Sequence, residues 1–157
     1  MSEFGFTSDE WDQITEAPLQ IYLAMLTVDV AVDSLDDEAR AFSDALTEVI
    51  EKCQPGSWMR GAFEAASQPT ATQARGAAAM SEDELCGSLS ALSAVLQRRA
   101  GDTEAHTFSE LLVHLARRIA EATGGLFPGA PRVTPAEREL IWRIRQSLDL
   151  MHTLHPS

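Results

Sequence analysis

Four aspartates at the end of the first apolar run are the side chains whose type and spacing could bind a metal ion. Asp29, Asp33, Asp36 and Asp37 lie within the segment DVAVDSLDDE. Several carboxylate oxygens that converge on one point suit a hard divalent cation such as Ca²⁺ or Mg²⁺. The spacing is not that of an EF-hand, which has a central glycine and a glutamate at its twelfth position. The alternative is that Asp36 and Asp37 stabilise the start of the following helix, where carboxylates meet the positive end of the helix dipole.

The turn from Gly124 to Gly129 is the second candidate site, because phosphate-binding P-loops have two glycines at this spacing. Ala130 and Pro131 stand where a P-loop has its lysine and its serine or threonine, and a helical pattern precedes the turn where a P-loop has a strand. We therefore reject nucleotide binding at this turn. Either Phe127 folds back onto the core, or the loop presents Phe127 and Arg132 to a protein partner.

The other reactive side chains form no recognisable catalytic motif. The sequence contains no Glu-x-x-His, no HExxH and no Gly-x-Ser-x-Gly. His114 lies between Leu111 and Leu115 in a helical pattern, which indicates a partly buried histidine bonded to a neighbouring side chain. Cys53 and Cys86 are far apart and have no metal-finger spacing, so we expect buried free thiols. The sequence therefore favours a protein without enzymatic activity, and it predicts no cofactor other than the divalent cation considered above.

Helical periodicity runs through most of the chain, because apolar residues recur every three or four positions in each long stretch. The clearest stripes lie on either side of the glycine-rich turn, with Phe108, Leu112, Leu115 and Ile119 before it and Leu140, Ile144 and Leu148 after it. Two such stripes joined by a short connection can bury each other as an antiparallel pair. No pattern of paired strands is visible in the sequence.

Several helix starts are marked by capping signals. Three capping boxes have a serine or threonine three residues before a glutamate, namely Thr7 with Glu10, Ser81 with Glu84 and Thr134 with Glu137. Ser57 is expected to cap a short helix. Pro18 lies inside the first helical stripe and predicts either a kink or a split after Glu16, because proline removes one backbone hydrogen bond.

These elements predict an all-α fold, a single-domain bundle of about five or six helices over residues 1–157. Residues 1–6 are expected to form a loose N-terminal arm whose two phenylalanines, Phe4 and Phe6, pack against the body. Residues 68–80 are rich in small side chains and predict a frayed helix or a mobile connection, and residues 152–157 predict a tail.

Charge is distributed unevenly along the chain. The first 52 residues carry 13 acidic and 2 basic side chains, whereas the remainder carries 11 acidic and 10 basic ones. The negative field of the first third would repel phosphate backbones, so we expect no nucleic-acid partner. No stretch approaches the roughly 20 apolar residues of a membrane span, and the acidic N-terminus does not have the pattern of a secretory signal. We therefore expect a cytoplasmic protein without a membrane partner.

Two stretches resemble an uncharacterised family of small bacterial helical proteins. They are WDQITEAPLQIYLAMLTV and ARRIAEATGGLFPGAPRVTPAERELIWRIRQSLDL. In that family a segment with tryptophan and then Ala-Pro precedes helices, a glycine-rich turn and a final helix that begins Val-Ser/Thr-x-x-Glu. More distantly, the acidic turn, the glutamate-bearing helix after it and the late capping-box helix are similar to tellurite-resistance TerB-like domains. That resemblance implies an all-helical fold and, in some members, acidic residues that bind metal, although VDSLDDE has no glycine where the TerB-like turn has one.

Three functional hypotheses follow from the sequence. The first is a non-enzymatic cytosolic helical interaction module, set in a bacterial stress response, that binds a protein partner or forms a homo-oligomer. Its acidic N-terminal third would steer it toward a basic partner. The second is an acidic metal-binding TerB-like domain that uses the four aspartates. The third is a small-molecule enzyme with a pocket between helices.

Overall fold

A computed structural model describes residues 5–28, 35–67, 81–123 and 135–148, and within these ranges the chain forms six helices and no strand. The helices are α1 (Ser8–Val28), α2 (Leu35–Lys52), α3 (Trp58–Ala66), α4 (Glu82–Arg99), α5 (Asp102–Thr123) and α6 (Pro135–Ser147). They form one compact bundle, which confirms the predicted fold class. Residues 1–4, 68–80 and 152–157 lie outside the described residues, so the expectations for them stay predictions.

The helix starts follow the capping chemistry of the sequence. Thr7 Oγ1 accepts a hydrogen bond from the Glu10 amide at 3.1 Å, and Glu10 Oε1 accepts one from the Thr7 amide at 2.8 Å. Ser81 and Glu84 make the same reciprocal pair at the start of α4. Two of the three predicted capping boxes are therefore confirmed, and Thr134 of the third lies outside the described residues.

Two backbone features set the path of the chain between helices. Gly101 has a φ of +90°, a conformation that glycine adopts without strain, and it separates α4 from α5. The single glycine therefore lets the chain reverse direction between two long helices. Pro18 is accommodated inside α1, which continues from Ser8 to Val28. Of the two predicted alternatives, the split after Glu16 does not occur, because α1 gains enough from burying Ile14, Leu19 and Ile21 to offset one missing hydrogen bond, and the kink stays a prediction.

Helix α5 is the centre of the bundle. It packs against α1, α2, α4 and α6, and its stripe of Phe108, Leu112, Leu115 and Ile119 is buried. Leu140, Ile144 and Leu148 are also buried, and α6 packs on both α4 and α5. The predicted burial of both stripes is therefore confirmed, and the two helices that carry them are in contact.

The rings of Phe6, Trp11, Trp58 and Phe108 form an aromatic cluster in the core. Phe6 is 2% exposed, and its ring centroid lies 5.2 Å from that of Trp58 and 6.2 Å from that of Trp11. Trp58 also lies against Phe108 at 5.1 Å. The expected packing of Phe6 against the body is confirmed, whereas Phe4 lies outside the described residues. In the part of the chain that the structure describes, no helix is both long and apolar enough to cross a membrane.

Candidate functional site

The residues that the sequence singled out for function fall outside what the structure describes. Asp29, Asp33, Phe127 and Arg132 lie in ranges without a described placement. Asp36 and Asp37 lie in the first turns of α2, but their side chains are not among those described. The metal-binding and loop-binding hypotheses therefore stay predictions. Among the described side chains, no group of three or more His, Cys, Asp or Glu residues could hold a metal ion.

The outer face of α6 is the first feature that the described residues provide. Trp142 is 49% exposed, and it is the only large hydrophobic side chain with high exposure in the described ranges. Leu140, Ile141 and Ile144 of the same helix are buried. The indole therefore is not needed to complete the core, and it stands on the solvent side of the helix.

Polar side chains surround this indole. Arg138 and Gln146 lie one turn before and after Trp142 on the same side of the helix, and both are exposed. Arg138 forms no ion pair with any described residue. We call Arg138, Trp142 and Gln146 the α6 outer face. It combines an aromatic side chain with a guanidinium that forms no ion pair within the described ranges.

Contacts along α6 hold this face in a fixed orientation. Arg143 bonds to Glu82 and Asp83 at the start of α4, the second contact measuring 2.8 Å. These two acidic neighbours raise the pKa of Arg143, so the arginine stays charged at any physiological pH. Farther along, the Ser93 hydroxyl donates to the Leu148 carbonyl at 3.4 Å. Because the helix is fixed near its middle and just beyond its end, Trp142 is presented on a rigid support.

A surface cavity of about 360 Å³ is the second feature, and it lies where α2 ends and α3 begins, against the first half of α5. Its lining includes Lys52, Cys53, Met59, Glu104, Thr107 and Leu111. Glu104 Oε2 accepts a hydrogen bond from the indole nitrogen of Trp58 at 3.3 Å. Because Trp58 is itself packed in the aromatic cluster, it fixes the position of this carboxylate.

The thiol in the cavity is not an activated nucleophile. Burial raises the pKa of Cys53, and its sulfur donates to the Val49 carbonyl at 3.4 Å. In reactive cysteines a nearby cation or a helix N-terminus stabilises the thiolate, whereas at Cys53 burial outweighs the opposing effect of the Arg60 charge. Cys53 therefore contributes to the cavity as a small apolar side chain.

The remaining charged clusters connect helices to one another. His114 Nε2 lies 2.8 Å from Glu48 Oε1, and Arg118 donates to the other oxygen of Glu48 at 3.0 Å. The histidine contact is the main cause of the lowered pKa of Glu48, with the Arg118 charge adding to it. The prediction that His114 is partly buried and bonded to a neighbour is confirmed. These three side chains join α2 to α5.

Glu10 forms a second interhelical cluster. Its Oε2 accepts hydrogen bonds from Arg99 at 3.0 Å and from Arg98 at 3.3 Å, which ties the start of α1 to the end of α4. The Thr7 amide is the main cause that lowers the Glu10 pKa from 4.5 to about 2, and the two arginines add to it. These contacts fully account for Glu10, so we assign it to the architecture and not to a ligand site.

Comparisons of the chain with protein-family models, curated proteins and solved structures find no match. The resemblances to the small bacterial helical family and to TerB-like domains therefore stay predictions. Sequence reasoning missed Trp142, although its position outside the stripe of Leu140, Ile144 and Leu148 was a visible signal. It also missed the cavity, because residues from three different helices and a turn form its wall.

Proposed function

We propose that this chain is a non-enzymatic helical module that binds a protein partner through the α6 outer face. The observation that carries the proposal is the exposed Trp142, which stands on a rigid helix beside an arginine that has no acidic partner in the described residues. Tryptophan and arginine are enriched among the residues that dominate binding energy in protein interfaces. An aromatic centre with a polar rim is also the usual composition of such interfaces.

The chemistry of the α6 outer face specifies what the partner must offer. Trp142 requires an apolar pocket, and Arg138 requires a carboxylate at the edge of that pocket. The formal net charge of the chain is −12, so the long-range field favours a partner whose overall charge is positive. Two copies of this chain would repel each other by the same field. We therefore propose a different protein, and not a second copy, as the partner.

A rigid support makes this proposal energetically reasonable. Association loses less free energy when the binding side chain and its backbone are already ordered. The contacts of Arg143 with Glu82 and Asp83 supply that order before any partner arrives. Binding then has to restrict only the side chains of the α6 outer face.

A photoreactive amino acid placed at position 142 tests the proposal in the cells that make this protein. We expect a covalent adduct with one protein at position 142 and none at Ser90, an exposed control position on α4. The captured protein is then identified by mass spectrometry and purified. The affinity of the captured protein for Trp142→Ala should be about 30-fold or more below its affinity for the parent chain, as for a central interface residue. Its affinity for Gln146→Ala should fall by less.

Three results would count against the proposal. Equal adducts at positions 142 and 90 would show that the α6 outer face is not preferred. An affinity within twofold of the parent for Trp142→Ala would show that the indole does not contribute. An adduct of twice the mass of the chain, together with dimers in light scattering, would show that the α6 outer face binds a second copy of this chain and not a different protein.

A further inference from the structure

The cavity between α2, α3 and α5 has the composition of a small-ligand site. Its volume of about 360 Å³ lies at the lower end of the range for such sites, which are mostly apolar with a few oriented polar groups. Met59 and Leu111 are partly buried and provide apolar wall, and Cys53 adds a thiol that is held protonated. A ligand with a short aliphatic body would therefore find matching surface here.

The cavity wall carries one acidic and one basic side chain, and neither forms an ion pair among the described residues. Glu104 accepts a hydrogen bond from Trp58, and its other carboxylate oxygen has no partner among the described residues. Lys52 ends α2 and makes no ion pair within the described ranges. The two charges lie on different helices, and both residues line the same cavity.

We infer that this cavity binds a small zwitterion with an aliphatic side chain, of the chemical class of the free apolar amino acids. The ammonium group of the ligand pairs with Glu104, its carboxylate pairs with Lys52, and its side chain lies against Met59 and Leu111. A simple amine would place its positive charge beside Lys52 without an anion to neutralise the lysine. A simple carboxylate would place its negative charge beside Glu104 without a cation to neutralise the glutamate. A zwitterion neutralises both Lys52 and Glu104. No bond is formed or broken, because the Cys53 thiol is protonated and none of these contacts requires a reaction.

This inference is independent of the proposed partner, because the cavity contains no residue of α6. Calorimetric titration of the whole protein tests it with three probes of one shape. L-leucine has both charges, isopentylamine lacks the carboxylate, and 4-methylpentanoate lacks the ammonium. We expect leucine to bind about tenfold or more tightly than either of the other two, because each loses one charge-assisted hydrogen bond.

Two variants localise the binding. Glu104→Gln keeps an oxygen for the Trp58 indole but loses the charge, so it should weaken leucine about tenfold and should tighten 4-methylpentanoate, whose carboxylate no longer faces a like charge. Glu110→Gln makes the same change farther along α5, outside the cavity lining, and should leave leucine binding at the parent level. Circular dichroism establishes that both variants fold.

Lys52 offers a direct probe, because it is the only lysine in the sequence. Protein labelled with ¹³C-lysine should give a single set of side-chain signals, and leucine should shift them whereas isopentylamine should not. Three outcomes would overturn the inference: no heat with leucine at millimolar concentration, equal affinities for leucine and isopentylamine, or an equal loss of affinity in Glu104→Gln and Glu110→Gln. The probe comparison stands on unmodified protein even if a variant fails to fold.

Discussion

Replacing Phe6 by alanine tests whether the first described residues belong to the core. The ring is 2% exposed and contacts the rings of Trp11 and Trp58. Removing a buried phenylalanine side chain costs about 3 to 5 kcal/mol, which includes the cavity left behind. Because Phe6 precedes α1 and does not lie inside a helix, its site can collapse more easily than one in a helix centre, so we expect about 3 to 4 kcal/mol. For a protein of this size that corresponds to a fall in melting temperature of about 6 to 16 °C.

Urea unfolding followed by circular dichroism and by tryptophan fluorescence measures this change. The fluorescence of Trp11 and Trp58 should also shift, because their environment loses an aromatic neighbour. Phe6→Leu is the matched control, and because it keeps most of the apolar volume it should cost less than about 1.5 kcal/mol. If Phe6→Ala costs less than about 1 kcal/mol, the ring contributes little to the core, and our account of the aromatic cluster is wrong.

Three further predictions concern the centre of the bundle, its pH dependence and the acidic segment. Leu115→Ala should lower the free energy of unfolding by about 2 to 5 kcal/mol in urea titrations, because the side chain is fully buried in α5. Ionised Glu10 stabilises the fold fully above pH 4.5, and this stabilisation is lost as the pH falls toward 2. The parent should therefore lose stability more steeply than Glu10→Gln over that range in thermal melts, and parallel curves would contradict this account. If the aspartates bind metal as the sequence suggests, calorimetric heat with Ca²⁺, Mg²⁺ or Mn²⁺ should vanish in the Asp33→Ala, Asp36→Ala double variant, and a parent without heat removes the hypothesis.

Local chemistry explains why the helices themselves could be predicted. A capping box such as Ser81 with Glu84 involves residues three positions apart, and a stripe such as Phe108, Leu112 and Leu115 follows from the helical period. Both signals are complete within a short stretch of sequence. They therefore determine helix starts and buried faces before any tertiary contact is known.

Contacts between helices could not be predicted in the same way. The partner of His114 is Glu48, 66 positions away, and nothing local to either residue indicates the other. The wall of the cavity could not be predicted for the same reason, because Lys52 and Glu104 line a common cavity only after α2 and α5 have packed. Pro18 did not prevent a continuous α1, since burial of one helix face outweighs a single local preference.

Helix α5 gives a common support to both proposed surfaces. Leu112 and Leu115 fix it in the core, Leu111 lies in the cavity wall, and the Glu110 carboxylate lies 3.9 Å from the Arg145 guanidinium of α6. Adjacent residues of one buried helix thus face the cavity and the helix that carries Trp142. Because a packed helix moves as a rigid unit, neither surface needs a conformational change to become competent for binding. Each proposal therefore requires binding without rearrangement, and a large change in circular dichroism on addition of the partner or of leucine would contradict the proposal for that ligand.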